Sequence, residues 1–457
     1  LNEIDRAIGL IVSALVCYLV AIVFSRYSLA LPVLGFFVVG LMLTMAAISG
    51  RNTHPDESVH IAASSYYQEH TRPPRVGDAE ILHTYSAYGV SRLHSGEIYY
   101  FLAGKYLHLV TPFLSDPYLA LRFFNVLLFG TLVGYGFYRR EFRFFLLPIL
   151  LSPQVWYVFS YANSDALATF LGLVGAYQLA AEGSIVNAML RNQSWKGGWI
   201  AAILTGLLFG LLLMQKLNFY FLYVFFLCYF LWRLRHTSLA WNKKTSFHFV
   251  SVILVGCALL GLFRGANAWV NDFKMDELTF QAREDYAEEI YRPSTPIEKK
   301  QMYLQMRDRG KSIKNLFLVD RWGEKTFRTA VGVYGYTQYP APFAYYDYVR
   351  SALFLLCITL ICSVFYRGGI PGTVLLSLAG ACAAFFIGGL VYHAWTTDFQ
   401  PQGRYLLPLL PIFGVLYYHF HRMLIKPVFY SLFFLLFCLS VYNFIFVGLR
   451  DIAKLAI

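Results

Sequence analysis

Long apolar runs alternate with polar segments along the whole chain. Twelve of them approach the ~20 consecutive apolar residues that a membrane-spanning helix needs. They cover roughly residues 8–24, 29–49, 118–136, 144–160, 166–181, 198–214, 217–232, 248–263, 350–366, 371–392, 405–418 and 428–449. This pattern predicts an all-α polytopic membrane protein in five parts. Residues 1–49 form two N-terminal transmembrane helices, and 50–117 a first large loop. Six helices follow in 118–263, a second large loop in 264–349, and four helices in 350–457. Within the loops, PDESVHIAASSYYQE (55–69) and GEIYYFLAGKYLHLV (96–110) predict helices lying along the membrane surface. Residues 272–328 alternate in charge and read as solvated helices. Residues 329–348 are rich in Tyr, Gly and Pro.

Composition agrees with the pattern. The chain of 457 residues is 58% hydrophobic and 14% charged, where a soluble domain carries about 25% charge. No cleavable signal peptide is expected at its start, which opens on Leu1. The net charge of +12 would suit a nucleic-acid binder, but its distribution argues against one. The short loops carry thirteen Lys/Arg against two acids, whereas 50–117 and 264–349 together carry eighteen against nineteen. Such asymmetry marks the short loops as cytoplasmic and the two large loops as extracytoplasmic. The excess charge therefore reports orientation, and both chain ends are expected on the outer side. All seven cysteines fall within apolar runs, so no disulfide framework is expected.

The cytoplasmic loops are too short for a nucleotide-binding domain. The chain has no Walker A sequence and no G-x-G-x-x-G between a strand and a helix. Any chemistry is thus expected on the outer face, with an activated substrate that arrives lipid-linked through the bilayer.

Ionisable residues at a membrane boundary are costly and mark functional candidates. Thr53-His-Pro-Asp-Glu-Ser-Val-His60 sets Asp56 and Glu57 just after a span, with His60 one helical turn beyond Asp56. Thr53-x-x-Asp56 also matches a capping box, a role the same residues can serve. Asp165, in Ser160-Tyr-Ala-Asn-Ser-Asp165, stands at the next outer boundary, where Asn163 or Ser164 can cap the following helix. Lys216 interrupts a long apolar run, and Arg404 opens a span on the outer side. Both run against the positive-inside trend and suit a lipid phosphate, Arg by a fork of donors and Lys as a point charge. His54, Asp56, Glu57 and His60 resemble a zincin motif whose first His is missing, so no metal site is assigned. A loop-bound divalent cation is the one metal these residues leave open.

The chain resembles the GT-C superfamily of polyprenyl-phosphate-sugar-dependent membrane glycosyltransferases. It looks most like a bacterial branch, and more distantly like protein O-mannosyltransferases and aminoarabinose transferases. The segments that carry the resemblance are His54–His60, Asn163-Ser-Asp165-Ala-Leu-Ala, Gly206–Lys216, Val331-Gly-Val-Tyr-Gly335 and Gln402–Pro411, in the family's order. The resemblance implies a GT-C fold with about twelve spans and two large outer loops. It implies Asp56 as catalytic acid or base with Glu57 adjacent, Asp165 as a supporting acid, and Lys216 and Arg404 on the donor phosphate. His60, Tyr336 and Tyr405 would contact substrate, and no cofactor is required. In that superfamily the acid-bearing loop follows the first span, whereas here two apolar runs precede it. The implied partners are a polyprenyl-phosphate-linked sugar, membrane lipid, and a glycan, lipid or protein acceptor. The implied location is the bacterial plasma membrane with an outward-facing site. Two other readings stand beside it. One is an O-antigen ligase or polymerase using a lipid-diphosphate donor. The other is a transporter or flippase of lipid-linked sugar, for which the expected internal repeat is not visible. Whether Asp56 or Glu57 faces the cleft is left open.

Overall fold

The computed structural model describes residues 28–191, 195–236 and 242–455, with part of 15–26. It is 74% helical. Among the described residues the only sheet is the antiparallel ribbon Val333–Tyr334 with Tyr339–Pro340. Among the described residues, seven helices are long and apolar enough to cross a membrane: Ala30–Ile48, Pro117–Tyr138, Leu217–His236, Lys243–Val270, Phe343–Arg367, Gly369–Thr396 and Lys426–Ala453. The chain is an all-α membrane protein.

The remaining apolar runs take shorter forms. Residues 166–181, 198–214 and 405–418 fold as Asp165–Ala180, Trp195–Leu213 and Leu409–Phe420. The run 144–160 is not one straight helix: Arg140–Leu150 and Pro153–Phe159 meet at 102°. The cause is local. Pro153 has no N–H to extend the first helix, and the Ser152 hydroxyl accepts from the Gln154 N–H at 3.1 Å, capping the second. The run 8–24 lies largely outside the described residues.

In the first large loop, the two expected surface helices are Glu57–Glu69 and Tyr99–Val110. They pack side by side, with Tyr67 edge-on to Phe101 and His60 stacked on Tyr100. The second loop holds less helix than its charge pattern suggests. Met275–Tyr286 is helical, Ile313–Leu318 and Trp322–Ala330 are short, and the stretch between contains Pro293, Pro296 and a left-handed Gly310 that break it. Backbone hydrogen bonds tie the loops to each other and to 395–399: Glu288 N–H to Ala87 O, Arg307 N–H to Trp395 O, and Phe399 N–H to Tyr303 O. Both large loops therefore meet at one end of the bundle, and the candidate residues gather there.

Candidate active site

The site is built outward from Arg122, on the Pro117–Tyr138 helix. Its guanidinium donates to both oxygens of Glu57, at 2.8 and 2.7 Å. It also donates to the carbonyls of Ala46, Ser49 and Gly50, at 3.2, 2.6 and 2.7 Å. The last carbonyls of a helix have no partner within it, and here one arginine satisfies the end of Ala30–Ile48 and clamps it to the start of Glu57–Glu69. Glu57 also accepts from the Ala162 N–H at 3.3 Å. It is fully buried. Burial raises its carboxyl above the ordinary value, with Arg122 opposing.

Between these anchored ends the chain turns sharply. Asn52 and Asp56 both have positive φ, 59° and 58°, a region that Asn and Asp tolerate better than most residues. Asp56 makes no side-chain cap hydrogen bond, and the Thr53 hydroxyl donates to Gly50 O, so the capping-box pattern is not realised. The Asp56 carboxylate instead lines a cavity of about 190 Å³ with Gln154, Tyr157, Tyr161, Thr329, Tyr336 and Arg404. Its side chain is 42% exposed, and its Oδ2 faces two guanidinium groups: Arg404 at 3.3 Å and Arg92 at 3.7 Å. Tyr336 sits on the turn of the 333–340 ribbon, beside Asp56.

Arg404 is held on the opposite wall by a close approach of backbones. A Cβ at Gly403 would lie 2.1 Å from Ala330 Cα, so only glycine fits there. The Gly403 N–H donates to Thr329 Oγ1 at 2.8 Å, fixing the turn. Arg404 is 8% exposed, yet its Nε and Nη1 have no hydrogen-bond partner of good geometry among the described residues. A buried guanidinium with unspent donors is suited to an oxyanion.

Lys216 and Asp165 form a second pair at 2.9 Å, with Asp165 fully buried. Asp165 opens the Asp165–Ala180 helix, where the Asn163 side chain accepts from the Ala166 N–H at 3.2 Å. Lys216 lies in the break between Trp195–Leu213 and the Leu217–Tyr220 turn, steadied by the Ile98 N–H on Met214 O at 2.9 Å. The two pairs share a field: Arg404 lies within electrostatic reach of both Asp56 and Asp165. Next to them runs an apolar groove of about 440 Å³, lined by Leu217, Phe221, Phe385, Phe386, Leu390 and Tyr405, with Asn218 and His393 as its polar members. Each cation is thus followed directly by a groove residue, Lys216 by Leu217 and Arg404 by Tyr405.

The histidines serve the scaffold. The Gly335 N–H donates to the Tyr157 hydroxyl at 3.0 Å, which leaves that hydroxyl to donate to His54 Nδ1 at 2.8 Å. His60 Nδ1 pairs with the Tyr100 hydroxyl at 2.9 Å. Burial, and then the Arg122 charge, hold His54 well below its ordinary pKa. Burial holds His60 low in the same way, followed by Arg92, Lys216 and Arg404. Both imidazoles are neutral. Among the described residues no three His, Cys, Asp or Glu side chains converge on a metal position, and Glu57, His54 and His60 each have another partner.

The structure therefore brings Asp56, Arg404 and Tyr336 to one cavity, and sets Lys216–Asp165 and Tyr405 beside it. Glu57 is enclosed with Arg122, and His60 with Tyr100. Sequence reasoning missed Arg122, Arg92, Tyr157, Tyr161 and Asn218. Arg122 alone carried a signal, as the one charge inside the run 118–136. No family model, curated protein or solved structure matches the chain.

Proposed function

We propose that the chain is an integral-membrane glycosyltransferase of GT-C type with about twelve spans. It moves a sugar from a polyprenyl-phosphate donor to an acceptor hydroxyl, with inversion, on the extracytoplasmic face of a bacterial plasma membrane. One observation carries the reading. Arg404 lines the polar cavity that holds Asp56 and the next residue, Tyr405, lines the apolar groove, which Leu217, directly after Lys216, lines as well. An isoprenoid phosphate has that same division between charge and hydrocarbon.

In this reading the isoprenoid lies in the groove, and its phosphate meets Arg404 and Lys216. The sugar extends into the cavity toward Asp56. The acceptor oxygen attacks the anomeric carbon as the bond from that carbon to the phosphate oxygen breaks. The bonding pair leaves with polyprenyl phosphate, and the acceptor proton passes to Asp56. Negative charge grows on the leaving phosphate, and prepositioned cations stabilise it there without reorganising. Arg92 orients Asp56, and Asp165 holds Lys216. Glu57 and Arg122 act through the backbone, by fixing the turn that carries Asp56. Tyr336 walls the sugar subsite.

The test uses purified protein with a panel of polyprenyl-monophosphate sugars and matching lipid-diphosphate sugars. The expected result is release of polyprenyl phosphate from the monophosphate set, coupled to formation of a glycosylated acceptor. Turnover of the diphosphate set alone would assign a ligase-type reaction, and transport without bond cleavage would assign a flippase. Either outcome overturns the proposal.

A further inference from the structure

A second apolar cavity, of about 310 Å³, lies within the bundle and away from the site described above. Its walls come from Asp165–Ala180, Ile185–Arg191, Trp195–Leu213, Phe221–His236 and Lys243–Val270, with Leu179, Met189, Phe209, Phe226, Phe230 and Phe249 among the lining residues. Two tight contacts keep these helices from closing it. At Gly210 a Cβ would lie 3.0 Å from Gly256 Cα, so two helices touch there backbone to backbone. Toward the short-loop end, Arg233 donates to Leu179 O and to Asn187 Oδ1, joining three of the walls. Between these contacts the side chains leave an open volume. Its mouth is apolar and opens sideways: Leu227 and Ile253 line it and are 55% and 47% exposed.

We propose that this cavity binds one acyl chain of an anionic phospholipid, drawn from the leaflet that the short basic loops face. Two observations select the headgroup. Phe230 and Phe249 stack at 5.8 Å on the short-loop side of the cavity. From there, exposed Arg235 follows Phe230 by five residues and exposed Lys243 precedes Phe249 by six. At the rise of an α-helix these cations stand about 8 and 9 Å further along. That is close to the thickness of one headgroup layer, roughly 5–8 Å per side. Basic positions at that depth beside a cleft between helices suit a phosphodiester without a compensating cation. The inference stands independently of sugar transfer, because none of these residues lines the Asp56 cavity or the groove at Tyr405.

The test is lipid retention by the full chain, purified in detergent and delipidated. The protein is incubated with phosphatidylglycerol, with phosphatidylcholine of the same acyl chains, or with a polyprenyl phosphate, and bound lipid is counted by native mass spectrometry. Phosphatidylglycerol should be retained well above phosphatidylcholine. Arg235→Gln and Lys243→Gln should each weaken that retention roughly fivefold while leaving phosphatidylcholine unchanged. Leu227→Trp, at the half-exposed mouth, should lower retention of both phospholipids, and Cys257→Phe repeats the block from the opposite wall. Equal retention of the two phospholipids overturns the proposal. So does retention that none of the four variants alters, or retention of the polyprenyl phosphate alone.

Discussion

The cavity at Asp56 and the ion-pair layer at Glu57 come from one short stretch of chain and use their charges in opposite ways. Asp56 is half-exposed, has a left-handed backbone, and faces two guanidinium groups beyond 3 Å. Glu57 is enclosed, helical and gripped at 2.7 and 2.8 Å by one arginine. The first arrangement leaves its acid and Arg404 free to meet a substrate; the second leaves nothing unspent. Adjacent carboxylates in a sequence are therefore not a catalytic pair by default. One can be chemistry and the other the clamp that aims it.

Asp56→Asn breaks this comparison most directly. It keeps the shape and the turn but removes the proton acceptor. Transfer should fall by about 10²- to 10⁴-fold, the usual worth of a positioned general base. The melting temperature in detergent should hold, because Asp56 is not enclosed. A variant that retained full transfer would remove Asp56 from the mechanism. Glu57→Gln should behave in the opposite way. It leaves Arg122 buried with its charge uncompensated, which costs about 3–5 kcal/mol. The expected outcome is loss of folded protein in size-exclusion and melting measurements. A Glu57→Gln protein that folds normally but cannot transfer would reverse the two roles.

Arg404→Lys sharpens the reading of the cavity with a smaller effect. Lysine keeps the charge but loses the fork, and two of the Arg404 donors are otherwise unspent. Loss of one charge-assisted hydrogen bond, at about 1.5–3 kcal/mol, corresponds to roughly 10- to 100-fold in transfer. The loss should appear mainly in kcat if the contact strengthens as the phosphate leaves. An equal loss with a donor analogue whose bond cannot break would make Arg404 a binding residue only.

What the sequence disclosed follows from which forces act locally. The seven long apolar helices among the described residues are legible because the bilayer imposes hydropathy on each one separately. Asp56, Asp165, Lys216 and Arg404 are legible because a charge at a membrane boundary is conspicuous whatever it touches. The partition between Asp56 and Glu57 is not, since it depends on Arg122, sixty-five residues from Glu57 along the chain. Arg92 is one of several loop cations, and only the folded loop brings it to Asp56. The break at Ser152–Pro153 had a local signal, a serine cap before a proline, inside a run whose hydropathy alone suggested a single helix.

The weakest effect expected concerns pH, and it belongs to the scaffold around the cavity. His54 and His60 are held neutral by burial, and burial lowers His94 to about 4. Each folded-state pKa lies below the unfolded value of about 6.5. As pH falls below that value, the unfolded chain gains protons that the folded chain does not take up. Stability is therefore full above about pH 6.5 and declines in acid, by at most about 1.4 kcal/mol per pH unit for each imidazole. Melting between pH 7.5 and 5.5 should show this decline. His60→Gln, which keeps an acceptor for the Tyr100 hydroxyl, should flatten part of it, since it removes one of the buried imidazoles that share the decline. A slope that His60→Gln leaves unchanged would mean that His60 is not the neutral prop the fold makes of it.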